Sequence, residues 1–214
     1  MQLYKVARKV IGRAGGFRLS LLVIALALIS ITAFTACSST SIKPSDFKGS
    51  PVDPPFPAQD FTLVDRNGQN FRLSDQRGHV VLLFFGYTRC PDACPLTISA
   101  WAQAYNTLGE TAQDVRWVMV TVDPGYDTLQ VLGEFLIHYN QQFIGLTGSL
   151  EDLHPVYKAY GVVRLPLGPE YDDAVAHTDR SFLIDPQGNI RATLLSIQNP
   201  QDIAHDILLL QKAK

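Results

Sequence analysis

The stretch His79-Val-Val-Leu-Leu-Phe-Phe-Gly86-Tyr-Thr-Arg-Cys90-Pro-Asp-Ala-Cys94-Pro95 decides how this chain is read. From His79 to Gly86 the run is apolar without alternation, as a central parallel strand covered on both faces requires. The pattern from Pro95 to Leu108 is helical. Cys90 and Cys94 therefore fall between a buried strand and a helix, and open α/β sheets place their sites at the carboxyl ends of strands. Positions i and i+4 share a helix face, so both sulfurs can point at one spot. A helix N-terminus favours the thiolate over the thiol. Both thiols are thus expected to ionise readily, and either to bond each other or to share a metal. A disulfide that only braces the domain is the plainer alternative, but closing three intervening residues removes little chain entropy.

Working outward, strands and helices alternate. Phe61–Val64 and Phe71–Leu73 read as a hairpin turning at Asn67-Gly68. Val115–Val122 is a second buried strand, and Asp127–Tyr139 a helix capped by Asp127 or Thr128. Phe143–Thr147 is a short strand, and Leu150–Tyr160 a helix closed by Gly161. Ser181–Asp185 and Ile190–Leu195 flank an Asp-Pro-Gln-Gly-Asn turn, and Pro200–Gln211 is a final amphipathic helix. A β-α-β unit followed by a β-β-α ending is the order of an α/β, thioredoxin-like domain with a central mixed sheet flanked by helices.

The chain has 214 residues, 46% of them hydrophobic, enough for one domain with a sizeable core. Of 18 basic residues, five precede residue 37; the other 13 stand against 20 acids. An acidic domain repels phosphate and no glycine-rich phosphate loop is present, so nucleic acid is not an expected partner. Three cysteines are too few for a disulfide-built scaffold. The early basic residues lead into the apolar run Leu19–Phe34, short for a membrane span and close to a signal-peptide core. The run ends in Phe34-Thr35-Ala36-Cys37, similar to the lipobox of bacterial lipoproteins, with Phe34 where leucine is usual. Residues 1–36 are thus expected to be a lipoprotein-type signal peptide, or else an uncleaved anchor. Cys37 is lipid-modified in the first case. Residues 37–57, rich in proline and serine, read as an extended tether, and 58–214 as the domain. Either leader places the domain on the extracytoplasmic face of the cell membrane.

Four segments carry a resemblance: Phe84–Pro95, Val120-Thr-Val-Asp-Pro-Gly-Tyr-Asp-Thr128, Phe143-Ile-Gly-Leu-Thr-Gly148, and His177-Thr with Phe182-Leu-Ile-Asp-Pro-Gln-Gly188. In this order they resemble the Sco/SenC family of copper-binding, thioredoxin-like proteins, and the similarity runs over most of residues 56–212. The resemblance implies that Cys90, Cys94 and His177 hold one copper, as Cu(I) or Cu(II). It also implies a role in assembling the dinuclear copper centre of cytochrome c oxidase subunit II, as copper chaperone, as reductant of the empty site's thiols, or both. The implied partners are subunit II or a similar copper-A protein, other copper chaperones and thiol reductants, and the membrane through the N-terminus.

The donor types agree with this. Two thiolates and an imidazole form a soft set suited to Cu(I), whereas structural zinc usually takes four such ligands. His79 opens the central strand at the end away from the cysteines, His138 and His205 lie on helices, and His154 precedes Pro155 at a helix start. His177 stands in a polar segment just before a strand. Asp92 is either a group that tunes the site or a solvated turn residue. Asp123 and Asp127 read as a strand-end turn and a helix cap. Val162–Ala176, with Pro166, Gly168, Pro169 and the acids Glu170, Asp172 and Asp173, reads as a loop mobile without metal, its acids available to a basic partner.

Three rival functions remain distinguishable. The early region, Phe61-Thr-Leu and Leu73-Ser-Asp-Gln-Arg-Gly78, resembles a peroxiredoxin. The threonine expected three residues before a peroxidatic cysteine is absent, since Tyr87 and Pro91 stand there. A thiol-disulfide oxidoreductase commonly has two residues between its cysteines, against three here. A copper-sensing interaction module is the third rival.

Overall fold

The computed structural model describes residues 42–168, 170, 174–196 and 198–212. The leader, Cys37 and the first tether residues lie outside the described residues, as do Asp172 and Asp173. The elements in chain order are β1 (Ser50–Pro57), β2 (Thr62–Asp65), β3 (Asn70–Arg72), β4 (Val80–Gly86), α1 (Ala93–Leu108), β5 (Val115–Thr121), α2 (Leu129–Tyr139), β6 (Ile144–Thr147), α3 (Leu150–Ala159), β7 (Arg164–Pro166), β8 (Val175–His177), β9 (Arg180–Ile184), β10 (Asn189–Leu195) and α4 (Pro200–Lys212). Eight strands form one sheet in the order β1-β10-β9-β4-β5-β6-β2-β3, while β7 and β8 pair only with each other. Pairs β4–β5 and β5–β6 are parallel and the rest antiparallel, which is the expected mixed sheet.

All seven residues of β4 are buried. Successive side chains on a strand point to opposite faces, and Phe84 and Phe85 show it. Phe84 meets Trp101 of α1, which also packs on Trp117 and Phe143. Phe85 meets Tyr157 of α3, and Tyr160 just beyond it, on the other side. Both faces of the central strand are therefore covered, and its apolar run follows from that. No helix among the described residues is long and apolar enough to cross a membrane.

Three sequence readings are corrected. Ser50–Pro57, read as tether, is an edge strand on β10. Its four prolines are tolerated because an edge strand has one side without ladder bonds, and because the register shifts between Pro51 and Phe56. The buried Asp206 fastens its entry by accepting the Lys48 and Gly49 N–H groups, each at 2.8 Å. Gly49 is needed there: a Cβ would stand 2.4 Å from Leu194 Cδ2. Second, part of the loop 162–176 is the β7–β8 hairpin, with Arg164 opposite His177. Third, Thr128, not Asp127, caps α2, its side chain accepting from Val131 N–H at 3.2 Å.

Candidate metal centre

Helix α1 begins at Ala93, two residues before the sequence pattern suggested, so Cys94 lies inside its first turn. Cys94 is wholly buried and Cys90 half-buried. The Asp92 side chain makes no cap hydrogen bond. Instead Cys94 N–H donates to Cys90 Sγ at 3.4 Å, so a sulfur takes the place of the usual capping oxygen. Gly86, where β4 ends, makes room for the cluster: a Cβ there would lie 3.0 Å from Cys94 Sγ and 2.5 Å from the Phe84 ring.

The two thiols are not equivalent, contrary to the expectation that both ionise readily. The Cys94 thiol donates to Cys90 and draws it down to about 3 against the opposing effect of burial; His177 and the N–H groups of Asp92 and Cys94 add to this. Cys94 is pushed up, because its proton is held in that same hydrogen bond and because it is buried. A free thiolate at Cys90 thus shares one proton with a buried thiol at Cys94. The pair titrates as a unit.

His177 reaches the cluster from β8. Its Nε2 lies 3.8 Å from Cys94 Sγ, and its ring meets Tyr87 and Phe84 edge-on at 5.7 and 6.3 Å. Nδ1 is 3.0 Å from the Thr178 carbonyl. A carbonyl only accepts, so Nδ1 carries a proton and Nε2 faces the sulfurs. No other histidine is near. His79 bonds Asp114 O and Arg116 at the far end of β4, His205 bonds Asp206, and His138 and His154 are exposed. Asp92 acts through its backbone N–H, its side chain being exposed.

The sequence reading missed the network beneath the cysteine loop. Asp127 is fully buried and accepts from Thr88 N–H, from Thr88 Oγ1 at 2.5 Å and from Thr121 Oγ1 at 2.6 Å. Burial pushes its carboxyl upward, and the Thr121 and Thr88 bonds oppose that. Asp123 pairs with Arg89 at 2.7 Å, and Arg89 lies over the Tyr126 ring at 4.4 Å. The two aspartates therefore hold residues 88 and 89, immediately before Cys90, rather than only closing a turn. The parallel β4–β5 pairing makes this possible by bringing the two strand ends together.

The cluster is closed by hydrogen bonds. Among the described residues, no three His, Cys, Asp or Glu side chains already stand at coordinating positions around one point. The donors nevertheless fit a metal chemically. Bonds of about 2.0 Å to nitrogen and 2.3 Å to sulfur span a separation like that of Cys94 Sγ and His177 Nε2.

Fold and cluster together define a thioredoxin-like domain that carries a dithiol–imidazole site at its central strand end. A family model described as SCO1/SenC matches residues 51–211, and the chain belongs to that family. It is 40% identical over 131 residues to a protein of Stutzerimonas stutzeri named for copper binding. That match covers 60% of this chain and 64% of the relative, just under two thirds of its length. Among solved structures, apo Sco1 of Thermus thermophilus aligns with TM-score 0.69 at 32% identity, covering 77% of this chain and 96% of that one. ScoI of Arabidopsis thaliana with copper bound aligns with TM-score 0.68 at 27% identity, covering 74% and 100%.

Proposed function

We propose that this chain is a membrane-tethered copper metallochaperone that takes its cargo with Cys90, Cys94 and His177. It delivers the metal to the dinuclear copper site of cytochrome c oxidase subunit II, or prepares that site's thiols. The observation that carries this is the approach of His177 Nε2 to Cys94 Sγ, with Nδ1 held by the chain's own carbonyl. Such an orientation gives a thiol pair a nitrogen donor, which thiol exchange alone does not need. Family membership and the copper-bound relative support the metal; attachment to the membrane rests on residues 19–37.

Loading requires the Cys94 proton to leave, because metal ligands are thiolates. Cys90 supplies the first thiolate at the half-buried mouth of the site, and Cys94 the buried second. Burial limits solvent access, and Asp127 and Asp123 keep the loop from yielding.

The inequality of the two thiols favours a second reading, thiol-disulfide exchange on the client. The Cys90 thiolate attacks one sulfur of a client disulfide, a mixed disulfide forms, and the other client sulfur leaves as thiolate. Cys94 then loses its proton and attacks Cys90 Sγ, giving the Cys90–Cys94 disulfide and a fully reduced client. An external thiol reductant resets the pair.

A copper titration separates the readings. The reduced chain is expected to bind one copper, the disulfide form none, and Cys37 is expected not to matter. Equal uptake by oxidised and reduced chains would remove the thiols from the site.

A further inference from the structure

The residue between the central strand and the cysteine loop, Tyr87, has its own place in the cluster. It is almost fully buried, and its hydroxyl oxygen accepts the Val175 N–H at 3.3 Å. The backbone carbonyl of the same residue accepts the Cys90 N–H at 3.4 Å. One residue thus joins the first cysteine, through its carbonyl, to the first residue of β8, through its hydroxyl, two positions before His177. Its ring stands edge-on to the His177 imidazole, 5.7 Å between centroids and 84° between planes.

The hairpin itself explains why this matters. Its strands have three residues each and pair with no other strand. Opposite Val175 stands Pro166, which has no N–H to donate. Among the described residues, the other hydrogen bonds from the hairpin and its end to the rest of the domain include Arg164 Nε to Val122 O, the Thr178 hydroxyl to Gly161 O and His177 Nε2 with Cys94 Sγ. Phe84 adds a second ring against His177.

We propose that Tyr87 is a positioning residue for the copper site, its hydroxyl bridging the cysteine loop to the strand that presents His177. This rests on the copper reading above. The hydroxyl is expected to hold the histidine strand against the cysteine loop, as supporting hydrogen bonds orient a ligating imidazole.

Tyr87→Phe keeps the ring and removes only the bridge, so the core packing survives. In the metal-free protein, the Val175 amide is expected to exchange with solvent on the order of fivefold faster. Copper affinity is expected to fall about tenfold. Thermal unfolding followed in parallel guards against a general loss of structure. An unchanged Val175 exchange rate, or an unchanged copper affinity, would reduce Tyr87 to a core ring. If the parent chain bound no copper, the functional reading would fail by itself, and the Val175 amide would still decide whether the hydroxyl bridge exists.

Discussion

The two sides of the proposed site are built to different standards. The cysteines stand where a wholly buried strand meets a helix, on a sheet paired at both edges of β4. A buried carboxylate and an ion pair fix the loop before them. The histidine stands on a hairpin of two three-residue strands outside the main sheet. An element with few buried contacts opens locally at low cost, whereas a core strand opens only with the whole domain. The geometry thus divides the site into a fixed dithiol and an adjustable imidazole. For a protein that must release its cargo, a ligand on the adjustable side is the one that can leave first.

The strongest way to break this comparison is to remove each side in turn. Cys90→Ser or Cys94→Ser is expected to abolish both copper binding and disulfide formation. His177→Ala is expected to weaken copper binding by at least about 100-fold, since losing a direct ligand exceeds the usual cost of losing a supporting group. It should leave the Cys90–Cys94 disulfide able to form and exchange. Assays of copper affinity and disulfide exchange on the same three variants check this, together with oxidase assembly in a deletion strain at trace copper. A His177→Ala chain that restores oxidase there would make thiol exchange the essential activity.

The next effect lies within the fixed side. In the reduced, metal-free chain, Cys90 is drawn down to about 3, and Cys94 is raised. Iodoacetamide attacks thiolates, so Cys90 is expected to be modified first, at a rate that changes little between about pH 8 and 5; an ordinary thiol loses about 1,000-fold over that span. The sign for stability follows. A depressed acid contributes stability that is fully present above its unfolded value of 9.0 and is lost as pH falls toward about 3. The reduced form should therefore lose this contribution on acidification, while a Cys90→Ser chain shows no such loss. A tenfold drop in alkylation rate per pH unit would contradict the shared proton.

How much of this was legible in the sequence follows the same division. The fixed side announces itself locally: an unbroken apolar run, two cysteines four apart, a helix pattern. The inequality of the thiols was not legible, because it comes from the hydrogen bond between them and from the burial of Cys94, not from spacing. Nor was the role of Asp127, which lies 39 residues from Thr88 and reaches it only through the parallel pairing of β4 and β5. On the adjustable side, strands of three residues, one ending in Pro166, are too short for periodicity to register. His177 was picked out by family resemblance, since its 83-residue separation from Cys94 carries no local signal. Strand β1 was hidden for the opposite reason: its four prolines look like a tether until an edge position removes the objection to them.

The smallest expected effects sharpen the comparison most, because they weigh one polar group on each side. Asp127→Ala strips a common acceptor from the Thr88 N–H and hydroxyl and from the Thr121 hydroxyl, and it leaves a void where the carboxylate was buried. Buried donors left without partners cost about 1–3 kcal/mol, so urea unfolding should show a global loss of about 2 kcal/mol. Thr178→Val keeps the shape of the side chain but removes the hydroxyl that accepts from Val163 N–H and donates to Gly161 O. These bonds are solvent-exposed and lie on the hairpin side, so global stability should change by less than about 0.5 kcal/mol. The loss should surface instead as faster amide exchange confined to residues 163–178 and a several-fold weaker hold on copper. If Thr178→Val lowered the urea midpoint as far as Asp127→Ala, the hairpin would unfold with the core, and the histidine would be as fixed as the cysteines.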